Sequence, residues 1–271
     1  MATAVFFHAH PDDEAIATGG TMALAHEAGH RVVLVFGTRG ECGEPVDGVL
    51  GPDEELGDRR AIESQEAGEI LGAHRVAFLG YRDSGMMGEE TNNDPRCFWA
   101  ADFDEATDRL ADLLHDEGAD LLTIYDDHGG YGHPDHIQVH RVGLAAAARA
   151  GVKRVFQSTM NRDEIRRAIA AAVEAGIADD EMVEQAENLD DNDEPFGTPE
   201  SELTHGVDVR SMLSRKRDAM LAHASQIGPD SFFIAMDPTQ FDGAFGTEWY
   251  IEYGADRTGP PFGHDLFIDL S

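Results

Sequence analysis

Over its first 160 residues the chain alternates short apolar runs with segments of helical period, and this alternation constrains the fold more than any other feature. Ala4–Ala9, Arg31–Phe36, Arg75–Leu79, Leu121–Tyr125 and Val152–Gln157 read as buried strands. Thr18–Ala28, Arg59–Leu71, Phe103–Glu117 and Ile137–Ala150 read as helices, the first two stopped by Gly29 and Gly72. In Phe103–Glu117 the spacing turns Leu110, Leu113 and Leu114 to one face. Short strands joined by helical crossovers form a parallel sheet covered on both faces, which takes ligands at the carboxyl ends of its strands. The expected class is α/β: a Rossmann-like, mostly parallel sheet with helices on both faces.

Beyond residue 160 the pattern weakens. Arg162–Ala175 and Val209–Ala224 read as helices, and Asp179–Glu202 as an acidic stretch broken by Pro and Gly. The remainder, with Phe232, Phe233, Phe241, Phe245, Trp249, Tyr250 and Phe262, reads as aromatic-rich and loop-like. The expected organisation is a regular α/β core over 1–160 and a region of helices and aromatic residues over 161–271. A chain of 271 residues suits a single large α/β domain holding both.

Charge narrows the partners. The chain carries 53 acidic against 20 basic side chains, a formal net charge of −33, and its only lysines are Lys153 and Lys216. Such a field opposes nucleic acid and anionic lipid, so neither is expected as a partner. High-salt adaptation and an arginine-favouring genome fit the composition equally well. No apolar run approaches the ~20 residues needed to cross a bilayer. Two cysteines, Cys42 and Cys97, are too few for a disulfide framework or a thiolate-only zinc site. The first residues enter a strand directly, without a secretory leader, and a cytoplasmic location is the simplest expectation.

Two clusters carry chemistry. His8, His10, Asp12, Asp13 and Glu14 follow the first strand, where crowded carboxylates repel unless a cation relieves them. Taken alone, Asp12, Asp13 and Glu14 read equally well as an acidic helix cap. His133, Asp135, His136 and His140 surround Pro134 after the fourth strand, and Pro134 suits a first helical turn. Imidazole and carboxylate donors at two strand ends of one sheet point to a mononuclear zinc-type site with three protein ligands and water. Spacing alone leaves open which histidines face the ion.

Taken in order, these stretches resemble a known family. His10-Pro11-Asp12-Asp13-Glu14 and His133-Pro134-Asp135-His136 are similar to the paired signatures of the PIG-L/LmbE-like N-acetylglucosaminide deacetylases. Arg60, Glu63, Ala67, Leu71 and Gly72 fit the family's helix. Tyr81–Met86, Gly129–Gly132 and Ala222–Gln226 resemble its mycothiol-pathway branch, which holds a glucosaminyl-inositol deacetylase and a conjugate amidase. The resemblance covers residues 4–150 and then the last patch.

The resemblance implies a zinc-dependent hydrolase, its donors equally tolerant of Fe2+, that removes the N-acetyl group from a small amino-sugar substrate. It implies that His10, Asp13 and His136 hold the metal and that Asp12 is the general base. His133 would be a cationic partner for the oxyanion, Asp135 would orient or tune a histidine, and Tyr131 would reach the carbonyl or oxyanion. Arg60, Asp83 and Glu44 would contact substrate hydroxyls. A conjugate amidase shares every one of these ligands. A non-catalytic binding relic would not need Asp12, and a metallophosphatase would want more of a basic clamp than Arg39, Arg60 and Arg82 supply. His140 reads as a helix-face residue, His8 as pointing away from the ligands and Cys42 as a bystander. His223 reads equally as structural or as a pocket residue. Homo-oligomerisation is left open.

Overall fold

Strand β1 (Thr3–His8) and strand β2 (Arg31–Phe36) are almost continuously apolar because both of their faces are covered. In the computed structural model, which describes residues 1–174, 196–255 and 263–270, alternate side chains of each strand enter opposite layers. Ala4, Phe6, Val32, Leu34 and Phe36 pack with Met22, Leu71 and Met220. Val5, Phe7, Val33 and Val35 pack with Leu110, Leu114, Val139 and Val142. The first layer carries α1 (Asp13–Ala17), α2 (Gly19–Glu27) and α3 (Leu56–Leu71), and the second carries α4 (Phe103–Glu117) and α6 (Pro134–Ala150).

With β3 (Arg75–Phe78), β4 (Leu121–Tyr125), β5 (Arg154–Thr159), β6 (His205–Asp208) and β7 (Thr247–Glu252), the sheet runs β3-β2-β1-β4-β5-β7-β6. The first five strands are mutually parallel. β1 and β4 are neighbours in the sheet but not in sequence, so the crossovers diverge on either side of them. That divergence opens a crevice at their carboxyl ends, where open α/β sheets take ligands. Both His-rich motifs empty into it. The single-turn α5 (Gly129–Gly132) follows β4, with Gly130 and Tyr131 outside helical geometry.

The last third differs from its sequence reading. It supplies two strands, β6 and β7, which close the sheet as an antiparallel edge. It also supplies α8 (Leu213–Ala222), α9 (Phe232–Ala235) and α10 (Pro238–Phe245), the last capped by Asp237. Arg162–Glu174 forms α7. Upstream, the helix expected from Thr18 begins at Asp13 and is broken at Thr18, while the one expected from Ile137 begins at Pro134. The acidic residues Asp179 to Glu194, and Phe262, lie outside the described residues. No helix among the described residues is long and apolar enough to cross a membrane.

One buried charge pair joins the late strands to the early helices. Glu248 on β7 accepts hydrogen bonds from the Gly20 and Thr21 amides at the start of α2, both at 2.8 Å, and from Tyr250 Oη at 3.2 Å. Lys216 on α8 completes the shell at 2.5 Å, and both side chains of the pair are at most 2% exposed. Gly20 is required at this contact, because a Cβ there would stand 2.4 Å from Val209 Cβ. Removing one partner of such a pair leaves the other charge buried and unmatched. Glu248→Gln should therefore cost about 3 kcal/mol in a urea melt. The exposed Arg96–Asp94 pair is the control: Arg96→Ala should leave the midpoint where it is.

Candidate metal centre

β1 delivers His10 into a tight turn whose backbone is unusual at one place. Asp12 has φ 96°, a conformation that costs a non-glycine residue about 1–3 kcal/mol and persists only when its surroundings impose it. Three side chains do so. Asp13 Oδ2 accepts the His10 amide at 2.9 Å, and Glu14 Oε2 accepts the Asp12 amide at 3.0 Å. The Arg60 guanidinium, from α3, donates to the Pro11 carbonyl and to Asp12 Oδ2, the latter at 3.1 Å. Arg60 also donates to the Gly40 carbonyl at 2.8 Å. Its side chain is only 4% exposed. The sequence reading left Arg60 between substrate contact and a surface or ion-pair role; in the structure it pairs with Asp12 and braces that turn.

Three donor atoms converge above this turn. His10 Nδ1 lies 3.4 Å from Asp13 Oδ2, His136 Nε2 lies 3.4 Å from the same oxygen, and the two nitrogens are 3.4 Å apart. Donors about 2.0–2.1 Å from a tetrahedral zinc ion stand about 3.3–3.4 Å from one another, so this triangle fits such an ion. The outer nitrogens are also tied. His10 Nε2 lies 3.2 Å from Asp135 Oδ2, and His136 Nδ1 lies 3.2 Å from the Gly129 carbonyl. A hydrogen on each outer nitrogen leaves the inner lone pair for a cation, the usual support for a ligating histidine.

Other groupings come near, but less well. Nitrogens of His10, His133 and His136 lie within 4.8 Å of one another, as do donor atoms of His10, Asp83 and Asp135. The second grouping uses the outer side of His10, where Asp135 is already held by the Ser84 amide at 2.9 Å and by the Ser84 hydroxyl.

His133 departs from the sequence reading in its charge. Its Nδ1 accepts the Asp135 amide at 3.1 Å, capping α6, while the Asp135 carboxylate turns to His10 and Ser84. Burial, reinforced by His10 and His136, pushes its pKa down to about 2. His133 is therefore a neutral imidazole with Nε2–H as its donor, rather than a cation paired with Asp135. Tyr131 Oη stands 3.5 Å from His136 Nε2. Burial, with Asp13 adding to it, drives the phenol pKa far up, so it remains a donor.

The carboxylates divide by environment. Burial pushes the Asp12 carboxyl up to about 6, with Arg60 opposing and Asp13 reinforcing. Burial acts on Asp13 in the same direction, but His136 and His10 outweigh it and hold the group well below the ordinary carboxylate range. Asp83 is likewise held low: His10 and the Gly85 amide outweigh its burial. It accepts the Gly85 and Cys42 amides at 2.9 and 3.1 Å, and its Oδ1 stands 3.5 Å from His10 Nε2. Glu44 is exposed on the neighbouring loop, its carbonyl 3.4 Å from Gln226 Nε2. The Cys42 thiol is pushed up to about 11 by burial and by Asp83, leaving little thiolate. His8 pairs with Tyr125 Oη and Thr18 Oγ1, both at 2.9 Å, and His140 with the Tyr125 carbonyl at 3.0 Å.

Sequence reasoning missed the brace beneath the turn. Glu14 and His223 are fully buried and meet at 2.6 Å, across 209 positions of sequence. Two residues on, Ser225 binds Glu63 through its amide at 2.9 Å and its hydroxyl at 2.6 Å. The Ala222–Gln226 patch was the available signal, without its partners. Burial lowers the His223 pKa, but Glu14 more than reverses this and raises it. The charged pair therefore stabilises the fold fully below the unfolded histidine value of about 6.5, and this is lost as pH rises through the higher folded value. The stability gap between the native protein and His223→Gln should be constant below about pH 6 and shrink as pH rises above about 6.5, read by denaturant midpoints. A pH-independent gap would contradict a charged His223.

Residues 5–147 match the family model described as PIG-L, GlcNAc-PI de-N-acetylase. A 1D-myo-inositol 2-acetamido-2-deoxy-alpha-D-glucopyranoside deacetylase of Acidothermus cellulolyticus is 42% identical, covering 90% of this chain and 86% of its own. Among solved structures, N,N'-diacetylchitobiose deacetylase from Pyrococcus horikoshii superposes with a TM-score of 0.59 at 20% identity, over 92% of this chain and 83% of its own. The 4-carboxy-2-hydroxymuconate hydratase of Pseudomonas putida does so with a TM-score of 0.58 at 19% identity, over 96% and 100%. A hydratase and a deacetylase on one fold leave the reaction to be argued from the site.

Proposed function

The chain belongs to the PIG-L, GlcNAc-PI de-N-acetylase, family, and on that premise we propose that it is a zinc-dependent hydrolase that removes the N-acetyl group of a 2-acetamido-2-deoxyglucoside, with an inositol glucoside as the preferred substrate. The observation that carries this reading is the 3.4 Å triangle of His10, Asp13 and His136 beside the Asp12 carboxylate that Arg60 holds. These three residues would hold the ion. A zinc ion there supplies Lewis acidity, polarising the amide carbonyl and lowering the pKa of water toward ~7.

The chain's own groups do the rest. Asp12, fixed by Arg60, takes the proton of the attacking water and returns it to the departing amine nitrogen. His133 Nε2–H and Tyr131 Oη–H stabilise the developing oxyanion, each such donor being worth about 3 kcal/mol. Neutral His133 serves as a hydrogen-bond donor here. Asp83, beside His10, and Glu44, exposed on the neighbouring loop, are proposed to accept hydrogen bonds from sugar hydroxyls. The identity of the relative from Acidothermus, over most of both chains, supports the inositol glucoside as first choice.

Asp12→Asn should retain zinc and lose at least ~100-fold in turnover, because the proton acceptor is gone while the donor triangle remains. His136→Ala should instead lose the metal. Zinc content and amine release from N-acetylglucosaminyl-inositol separate the two. Full turnover in Asp12→Asn would overturn its assignment as base, and undiminished zinc in His136→Ala would overturn the triangle.

A further inference from the structure

A cavity of about 240 Å³ opens beside the metal centre, and its lining includes Asp13 but not Asp12. At its inner end stand Asp13, Tyr131 and His136. Its apolar lining includes Ile16, Met160, Ile165 and Phe245. Asp12, Arg60, Asp83 and His133 take no part in it. The charged groups in its wall are already engaged: Lys216 lies 2.5 Å from Glu248, and Glu164 accepts Trp249 Nε1–H at 2.7 Å. Ser158, Thr159, Asn161 and Thr247 also line the cavity, but the surface it presents is mostly apolar.

The chemistry says which half of the substrate faces it. In hydrolysis the water oxygen bonds to the acyl carbon, the C–N bond breaks, and the proton held by Asp12 passes to the leaving nitrogen. The products are an amine and a carboxylate. The nitrogen and its sugar must therefore leave on the Asp12 side, and the acyl substituent occupies the other. An acetyl methyl would fill little of the space there, since a dry cavity of about 150 Å³ already holds benzene.

Resting on the hydrolase reading above, we propose that this cavity is an acyl pocket and that the substrates include N-acylated amino sugars with apolar acyl groups larger than acetyl, of about four to eight carbons. The acyl chain lies among Ile16, Met160, Ile165 and Phe245, while the sugar lies against Asp83 and Glu44. Ala244, on the exposed side of α10, reaches the same wall and can be enlarged without opening the core.

Two measurements on the zinc-loaded protein test this. The first compares kcat/KM for N-acetyl-, N-butanoyl- and N-hexanoyl-glucosamine. The hexanoyl substrate should exceed the acetyl one at least tenfold, and Ala244→Phe should lower that ratio at least tenfold. A hexanoyl substrate tenfold worse than acetyl would overturn the pocket. The second needs no turnover: hexanoate and acetate, the product carboxylates, are titrated in a Trp99→Phe background so that Trp249 fluorescence alone reports. Each buried methylene is worth about fourfold in affinity, so hexanoate, with four more methylenes, should bind on the order of a hundredfold more tightly than acetate. Equal affinities would overturn the pocket even where acetyl is hydrolysed, and the hydrolase reading would stand. Tight hexanoate binding with no amine released from any N-acyl sugar would overturn the hydrolase reading and leave the pocket standing.

Discussion

The Glu14 carboxylate, fixed by His223, holds the Asp12 amide in a backbone conformation that the chain would not adopt unaided. The turn at the centre depends on that contact together with those of Asp13 and Arg60. With Asp12 at positive φ, two adjacent aspartates point to different tasks: Asp13 joins the triangle with His10 and His136, and Asp12 reaches Arg60. A relaxed turn would send both carboxylates elsewhere. The strain of about 1–3 kcal/mol is offset by hydrogen bonds to buried charged groups, each worth about 1.5–3 kcal/mol.

The last third of the chain acts as a brace on the first. His223 secures Glu14, Ser225 secures Glu63 on the helix that carries Arg60, and Glu248 secures the start of α2. Strands β6 and β7 fasten these pieces to the sheet edge. The same segment also lines the cavity beside the centre, through Phe245 and Trp249. One region thus both braces the Asp12 turn and lines the cavity beside it.

The parallel half of the fold was legible because each strand there is a short apolar run and each helix a periodic one. Arg31–Phe36, Phe103–Glu117 and Leu121–Tyr125 fall where their patterns place them. β6 was not legible: His-Gly-Val-Asp has one apolar residue, and it becomes a strand only by pairing with a segment some forty residues later. β7 hid for a related reason, since Trp249 and Tyr250 read as generic aromatics until Phe156 to Thr159 gave them a partner. At the centre, the two compact motifs that contain His10, Asp13 and His136 were legible, while the choice of these three among their neighbours came from the family resemblance and not from spacing. The inward turn of Arg60, the neutral state of His133 and the Glu14–His223 pair depend on distances across the fold, which spacing in sequence does not carry.

The most direct test of the account is the position of the ion. A crystal of the zinc-reconstituted protein, with data collected on either side of the zinc absorption edge, would locate it by anomalous scattering. The triangle predicts a single peak within about 2.0–2.1 Å of His10 Nδ1, Asp13 Oδ2 and His136 Nε2. A peak between His10, Asp83 and Asp135 would contradict it, and with it the separation of roles between Asp12 and Asp13.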